Sequence, residues 1–166
     1  MRHRILTVPL AAFIAAACQP ASSVLTDAQR ETITAEVNQV VVDLFDAMNA
    51  HEADRVLEHY LNSDEFAYVG LVDIRTGWNG FARMAGQWYP ANPDVTFEYQ
   101  IAHTQVLSPT VALVVLRGSS TDAEALVWTQ VMVNHDGQWR IAHEHESWPQ
   151  CIEAPKPHPM TVPGGG

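Results

Sequence analysis

Cysteine is nearly absent: Cys18 and Cys151 are the only two in 166 residues. No Cys-x-x-Cys spacing occurs, which excludes a thioredoxin-like redox site and a zinc ribbon. Positive charge is also scarce, with 9 Lys and Arg against 19 Asp and Glu, a formal charge of −10. Such a chain repels phosphate backbones, and no basic stripe offsets this, so nucleic acid is not an expected partner. There is no Gly-x-Ser-x-Gly elbow and no phosphate-cradling glycine loop, which leaves serine hydrolysis and nucleotide chemistry without support. Internal repeats are lacking, and the length suits one ordinary domain with a real core.

What is there begins with a leader. Arg2, His3 and Arg4 are followed by an apolar run from Ile5 to Ala17, broken only by Thr7 and Pro9. A bilayer span needs roughly 20 apolar residues, so this run reads instead as the hydrophobic core of a signal peptide. Small residues directly before Cys18, with the polar stretch Gln19–Ser23 after it, resemble a bacterial lipoprotein signal. In that family the cysteine becomes the first mature residue and carries the lipid. Ala15 stands where such signals usually have Leu, and Ala15-Ala16-Ala17 is itself an A-x-A site, so simple cleavage after Ala17 is the alternative. Either route exports the protein, to the periplasm or cell envelope with a membrane anchor through a lipid on Cys18, or else as a secreted protein. Losing Arg2 and Arg4 takes the charge from −10 to −12.

The expected organisation is a signal peptide over 1–17, a tether over 18–25, one domain over 26–148, and a tail over 149–166 that holds five prolines and ends in three glycines. Thr26 and Gln29 fit a capping box. Ile33, Val37, Val40, Val41, Leu44, Phe45 and Met48 then form one apolar stripe of a long helix. A second helix is expected over 52–61, a strand over 65–72, a turn over 73–77, and a third helix capped by Asn79 and stopped by Pro90. After Pro93 the pattern turns to strands, with Val95, Phe97, Tyr99, Ile101 and His103 on one face. The run 111–116 is apolar on both faces and is expected to be covered on both sides. Asp136-Gly137 marks a hairpin before a last strand over 138–148. Helices first and antiparallel strands after make an α+β fold with helices on one face of a sheet.

This element order, together with the run Asp136-Gly137-Gln138-Trp139-Arg140-Ile141-Ala142-His143-Glu144-His145-Glu146-Ser147, resembles the nuclear transport factor 2-like and SnoaL-like superfamily. The resemblance implies a cone-shaped, curved antiparallel sheet with about three N-terminal helices on its concave face, closing a deep, largely apolar pocket. It often implies a homodimer formed through the other face of the sheet. It does not imply one activity, because the fold hosts isomerases, dehydratases, binding modules and assembly domains alike.

Strict alternation along the last strand puts Trp139, Ile141, His143, His145 and Ser147 inward, with Arg140, Glu144 and Glu146 outward. His143 and His145 are therefore the candidate catalytic pair, acting as general base or acid, and Ser147 or Tyr68 would steady developing charge. The same counting turns His103 inward. Tyr68, Trp78, Trp88, His103, Trp139 and Ser147 are the candidate pocket residues, with Asp73 at the mouth or in a turn. Each histidine has a plainer role open to it, a hydrogen bond inside the core. A cupin-type metal site is rejected, since Pro149 and Gln150 stand where the second part of that motif needs Glu, and no third zinc ligand is nominated. No cofactor is expected.

The leading expectation is a pocket that binds a small hydrophobic or amphipathic molecule. The alternatives are a cofactor-independent isomerase, dehydratase or cyclase using a pocket histidine, and a non-catalytic self-assembly module. Lipidation is checked by mass: protein from the envelope should begin at Cys18 and weigh more than its sequence, and an unmodified Cys18 rejects the anchor.

Overall fold

A computed structural model describes residues 25–70 and 73–148. The leader, the Cys18 anchor, the tether, Cys151 and the tail from Pro149 lie outside the described residues. The elements run α1 (Asp27–Asn49), α2 (Ala53–Leu57), β1 (Ala67–Val69), β2 (Ile74–Thr76), α3 (Trp78–Ala91), β3 (Phe97–Ser108), β4 (Val111–Ser120), β5 (Ala123–His135) and β6 (Gln138–Ser147). One six-stranded sheet has the order β2-β1-β6-β5-β4-β3. All neighbours are antiparallel except β1 and β6, which run parallel. The architecture is the expected α+β: N-terminal helices on one face of a curved, unclosed sheet.

Helix α1 starts where its capping chemistry dictates. The Gln29 amide N–H donates to Thr26 Oγ1 at 3.3 Å, and the Thr26 amide donates back to Gln29 Oε1 at 2.9 Å. These bonds satisfy two amides that a bare helix end would leave open. Val37, Val41, Leu44 and Phe45 are buried along its inner stripe. Polar side chains fix how the helix lies on the sheet. Asn49 brackets Phe97, accepting from its amide at 2.7 Å and donating to its carbonyl at 3.0 Å. The Trp139 indole N–H donates to Glu36 at 3.0 Å, tying α1 to β6.

Helix α3 begins two residues earlier than a cap at Asn79 would place it, with Gly77 as the N-cap. The Gly77 and Trp78 amides donate to the Phe66 and Ser63 carbonyls, at 2.7 and 3.1 Å, so the helix end is satisfied by backbone and Asn79 falls inside it. Pro90 lies within the last turn, and the helix stops at Ala91. The segment read as a turn contains the short edge strand β2.

On β4, Ala112, Val114 and Leu116 are fully buried, while Val111, Leu113 and Val115 are only half-buried. The helices all lie on the inner face, so the expectation that this strand is covered on both sides is corrected to one. Among the register irregularities of the sheet, two decide which of the candidate side chains face inward. The pairing of β3 with β4 slips between Ile101 and His103, and that of β6 with β5 slips between Ile141 and His143. Ala102 and Ala142 are the extra residues, and each reverses which later side chains face inward.

Gly118 sits where β3 and β4 approach closely. A Cβ there would lie 1.9 Å from the Glu98 carbonyl oxygen and 3.0 Å from Tyr99 Cα, both backbone. Gly118→Ala is therefore expected to destabilise the fold by about 2 kcal/mol or more, the usual range for forced overpacking. At Gly86, in the middle of α3, a Cβ meets nothing within 4 Å. Gly86→Ala should stabilise by about 0.5–1 kcal/mol through helix propensity alone. Urea melts of the two variants should shift in opposite directions; equal shifts would refute the close-approach account.

Candidate functional site

A cavity of about 360 Å³ opens between the inner face of the sheet and helices α2 and α3. Its walls are largely apolar, with Phe81, Met84 and Trp88 from α3 facing Phe97 and Trp128 from the sheet. Such a lining with few polar groups is the ordinary character of a small-molecule site.

The polar groups come from three adjacent strands and the segment after α2. Glu144 on β6 pairs directly with Gln130 on β5 and with Tyr68 on β1. Glu144 as a whole is only 4% exposed. Gln130 Nε2 donates to Glu144 Oε2 at 2.7 Å, and the Tyr60 hydroxyl donates to the same oxygen at 3.1 Å. Glu144 Oε1 has no hydrogen-bond partner among the described residues. Tyr60 is held in place by backbone: the Leu61 amide donates to the Ile141 carbonyl at 2.8 Å, and the Ile141 amide to the His59 carbonyl at 2.9 Å. Two residues further along the strand, Glu146 accepts from the Tyr68 hydroxyl at 2.8 Å. Tyr89 lines the cavity too, and its hydroxyl bonds to no described residue.

Burial sets the electrostatics. Desolvation, helped by the charge of Glu146, pushes Glu144 from the ordinary 4.5 up to about 7, against the opposing hydrogen bonds from Gln130 and Tyr60. Glu146 is also raised, first by burial, with Tyr68 and Trp128 pulling the other way. Burial and the nearby carboxylates raise Tyr60, Tyr68 and Tyr89 well above their usual range, so all three stay protonated donors. The described part of the cavity lining has one cation, Arg75, and it is paired with Asp73 at 2.6 Å near the mouth.

The expected site residues divide. Tyr68 and Trp88 line the cavity, and Asp73 stands at its mouth. His143 and His145 do not reach it. The bulge at Ala142 turns them to the outer face, leaving His145 exposed and His143 half-buried, and brings Glu144 and Glu146 inward in their place. His103 is exposed on the outer face for the same reason, the bulge at Ala102. Ser147 shares the outer face and points its hydroxyl toward the Val127 carbonyl at 3.5 Å. Trp139 faces inward but packs under α1 through Glu36, away from the cavity. Trp78 lines a separate shallow groove beside the β5–β6 hairpin. The residues that strict alternation missed are Glu144, Glu146, Tyr60, Tyr89 and Gln130. One sequence signal pointed to them. Gln130 is the lone polar residue in the buried row Leu126, Trp128, Gln130, Met132, and a buried amide demands a partner. Among the described residues no group of three or more His, Cys, Asp or Glu converges as a metal-binding set.

Fold and cavity together define a cone-shaped α+β domain with an acid–base group buried in an apolar pocket. The family model described as SnoaL-like domain matches residues 37–150, and the chain belongs to that family. Similar solved structures include a nuclear transport factor 2-like protein of unknown function from Shewanella oneidensis, at 19% identity and TM-score 0.58, covering 69% of this chain and 98% of that one. A cystatin-like fold protein from Burkholderia xenovorans superposes at TM-score 0.61 and 14% identity, over 72% and 93% of the two chains. A ketosteroid isomerase-like protein from Erwinia carotovora atroseptica gives TM-score 0.55 and 16% identity, over 68% and 93%. At these identities the likeness shows the fold alone. No curated protein sequence matches the chain.

Glu144 makes stability depend on pH. Its folded pKa lies above its unfolded one, so the folded state holds an extra proton between about 4.5 and 7. Stability is then greatest below this window and falls as pH rises through it. Glu144→Gln keeps an acceptor for Tyr60 and Gln130 but carries no charge. It should match the parent near pH 4.5 and exceed it at pH 8 by up to about 3 kcal/mol. Parallel urea melts at the two pH values check this, and a gap that does not change with pH rejects the assignment.

Proposed function

We propose that the cone binds a small, largely apolar molecule and moves a proton within it, as a cofactor-independent isomerase, dehydratase or cyclase. Glu144 is the proton carrier. The observation that carries this reading is the carboxylate itself: Oε2 is fixed by two donors, Oε1 is left free in a group that lines the cavity, and the pKa sits at about 7. A base poised near working pH both takes a proton and returns it, which suits one group acting twice.

The step follows from the lining. The Glu144 carboxylate takes a proton from carbon next to a carbonyl through Oε1, and the electron pair moves onto the carbonyl oxygen. The Tyr89 hydroxyl, a donor with no described partner, stabilises that oxyanion. Where a β,γ double bond extends the enolate, protonated Glu144 returns the proton to the γ-carbon, giving the conjugated isomer. Where the β-carbon carries a hydroxyl, the proton goes to that departing group, giving water and the alkene. Apolar walls keep bulk water from quenching the intermediate. The anchor on Cys18 and a place in the envelope belong to the same proposal, resting on the leader alone.

Exchange of α-hydrogens for deuterium, followed by proton NMR over a panel of cyclic ketones, reads the first step directly. Glu144→Gln should slow exchange of any responsive ketone by about 10³-fold or more, and Tyr89→Phe by about 10- to 100-fold. His143→Ala and His145→Ala should leave it unchanged. A fully active Glu144→Gln variant, or loss of exchange in both histidine variants with Glu144 intact, would return the chemistry to the histidines.

A further inference from the structure

The proton step uses one carboxylate, yet the cavity holds two. Glu146 is part-buried, lines the cavity beside Trp128, and takes its hydrogen bond from a neutral phenol, that of Tyr68. Buried carboxylates are ordinarily balanced by Arg, Lys or a metal. No such balance exists among the described residues here. The described lining carries Asp73, Asp122, Glu144 and Glu146 against Arg75 alone, and Arg75 is engaged by Asp73. Aromatic rings form much of the remaining wall, and the face of each ring is the negative end of its quadrupole. A concave, largely apolar cavity with this lining concentrates a negative potential.

We propose that the molecule held in the cone carries a positively charged nitrogen, seated against Glu146 and the ring faces of Tyr68, Trp88 and Trp128. This names the substrate class of the proton-transfer site and rests on that reading only for its catalytic consequence. An ammonium or alkylated amine supplies the missing counter-charge and gains cation–π contact. A carboxylate or phosphate in the same place meets two carboxylates and no free cation. The placement also gives the two glutamates separate tasks: Glu146 holds the charge, and Glu144 works on carbon nearby. A cation entering the cavity stabilises ionised Glu144, so binding expels a proton and leaves the base in its charged, proton-accepting form.

A matched series tests this: 3-phenylpropylammonium, 3-phenylpropan-1-ol and 3-phenylpropanoate share a skeleton and differ in charge. Tryptophan fluorescence titration of the intact domain at pH 7 should show the ammonium binding at least about tenfold tighter than the alcohol, and the carboxylate weakest. Calorimetry in phosphate and in Tris should report proton release with the ammonium and none with the alcohol. Glu146→Gln should erase the preference for the ammonium while keeping alcohol binding. The wild-type comparison stands by itself if that variant does not fold. Equal binding of ammonium and alcohol, or no binding of the ammonium, overturns the proposal. Ketone exchange that still depends on Glu144 then leaves the proton-transfer reading in place. An ammonium preference without any Glu144-dependent exchange supports the ligand class and removes the catalysis.

Discussion

A single extra residue in the last strand decides what this cone can do. Ala142 has no partner in the register of β5 and β6, so the chain beyond it is turned over. With regular pairing the cavity would receive two imidazoles; with the bulge it receives two carboxylates. The rest of the polar network follows from that inversion. Gln130 finds the carboxylate directly opposite, Tyr60 reaches it from the segment stapled to Ile141, and Tyr68 meets Glu146 from the parallel strand β1. The bulge also adds local twist, which helps curl the sheet into the wall of a cavity.

The network is neither fully satisfied nor neutral: Gln130 Oε1 is buried without a described partner, and Glu144 Oε1 is left open. Each carboxylate receives hydrogen bonds from groups that carry no charge, so desolvation is opposed only in part. That balance explains why Glu144 sits near 7 and not at the extremes. A paired arginine would have held it ionised at all physiological pH, and a wholly apolar shell would have driven it further up. Fixing one oxygen with two neutral donors is thus a way to hold a carboxyl group in place without deciding its charge.

Much of the architecture was legible because local chemistry and tertiary role agree. Thr26 and Gln29 announce the first helix, its apolar stripe gives the buried face, and Asp136-Gly137 makes the last hairpin. The strand faces of 97–101 and of 139–141 follow simple alternation. Beyond Ala102 and Ala142 they do not, and His103, His143 and His145 were placed on the wrong side by the same one-residue error. Nothing local marks these bulges: an alanine in a strand is unremarkable, and its extra place in the ladder exists only relative to the neighbouring strand. Tyr68 and Trp88 line the cavity as the family resemblance implies, while Trp78, expected on the same ground, lies in the separate groove. Glu144 was hidden by its own polarity, since a carboxylate in an alternating strand reads as solvent-facing.

The staple between the Tyr60 segment and β6 has an evolutionary consequence. Glu144, Gln130 and Tyr60 all hang from the sheet or from backbone bonded directly to it, whereas Phe81, Met84 and Trp88 ride on α3. Buried carboxylate network and shape-giving wall are therefore separately heritable. Substitutions along one face of a single helix can reshape the chamber for a new guest while Glu144, Gln130 and Tyr60 are passed on intact. Descendants of this chain can then change the shape of the cavity without disturbing its buried carboxylate.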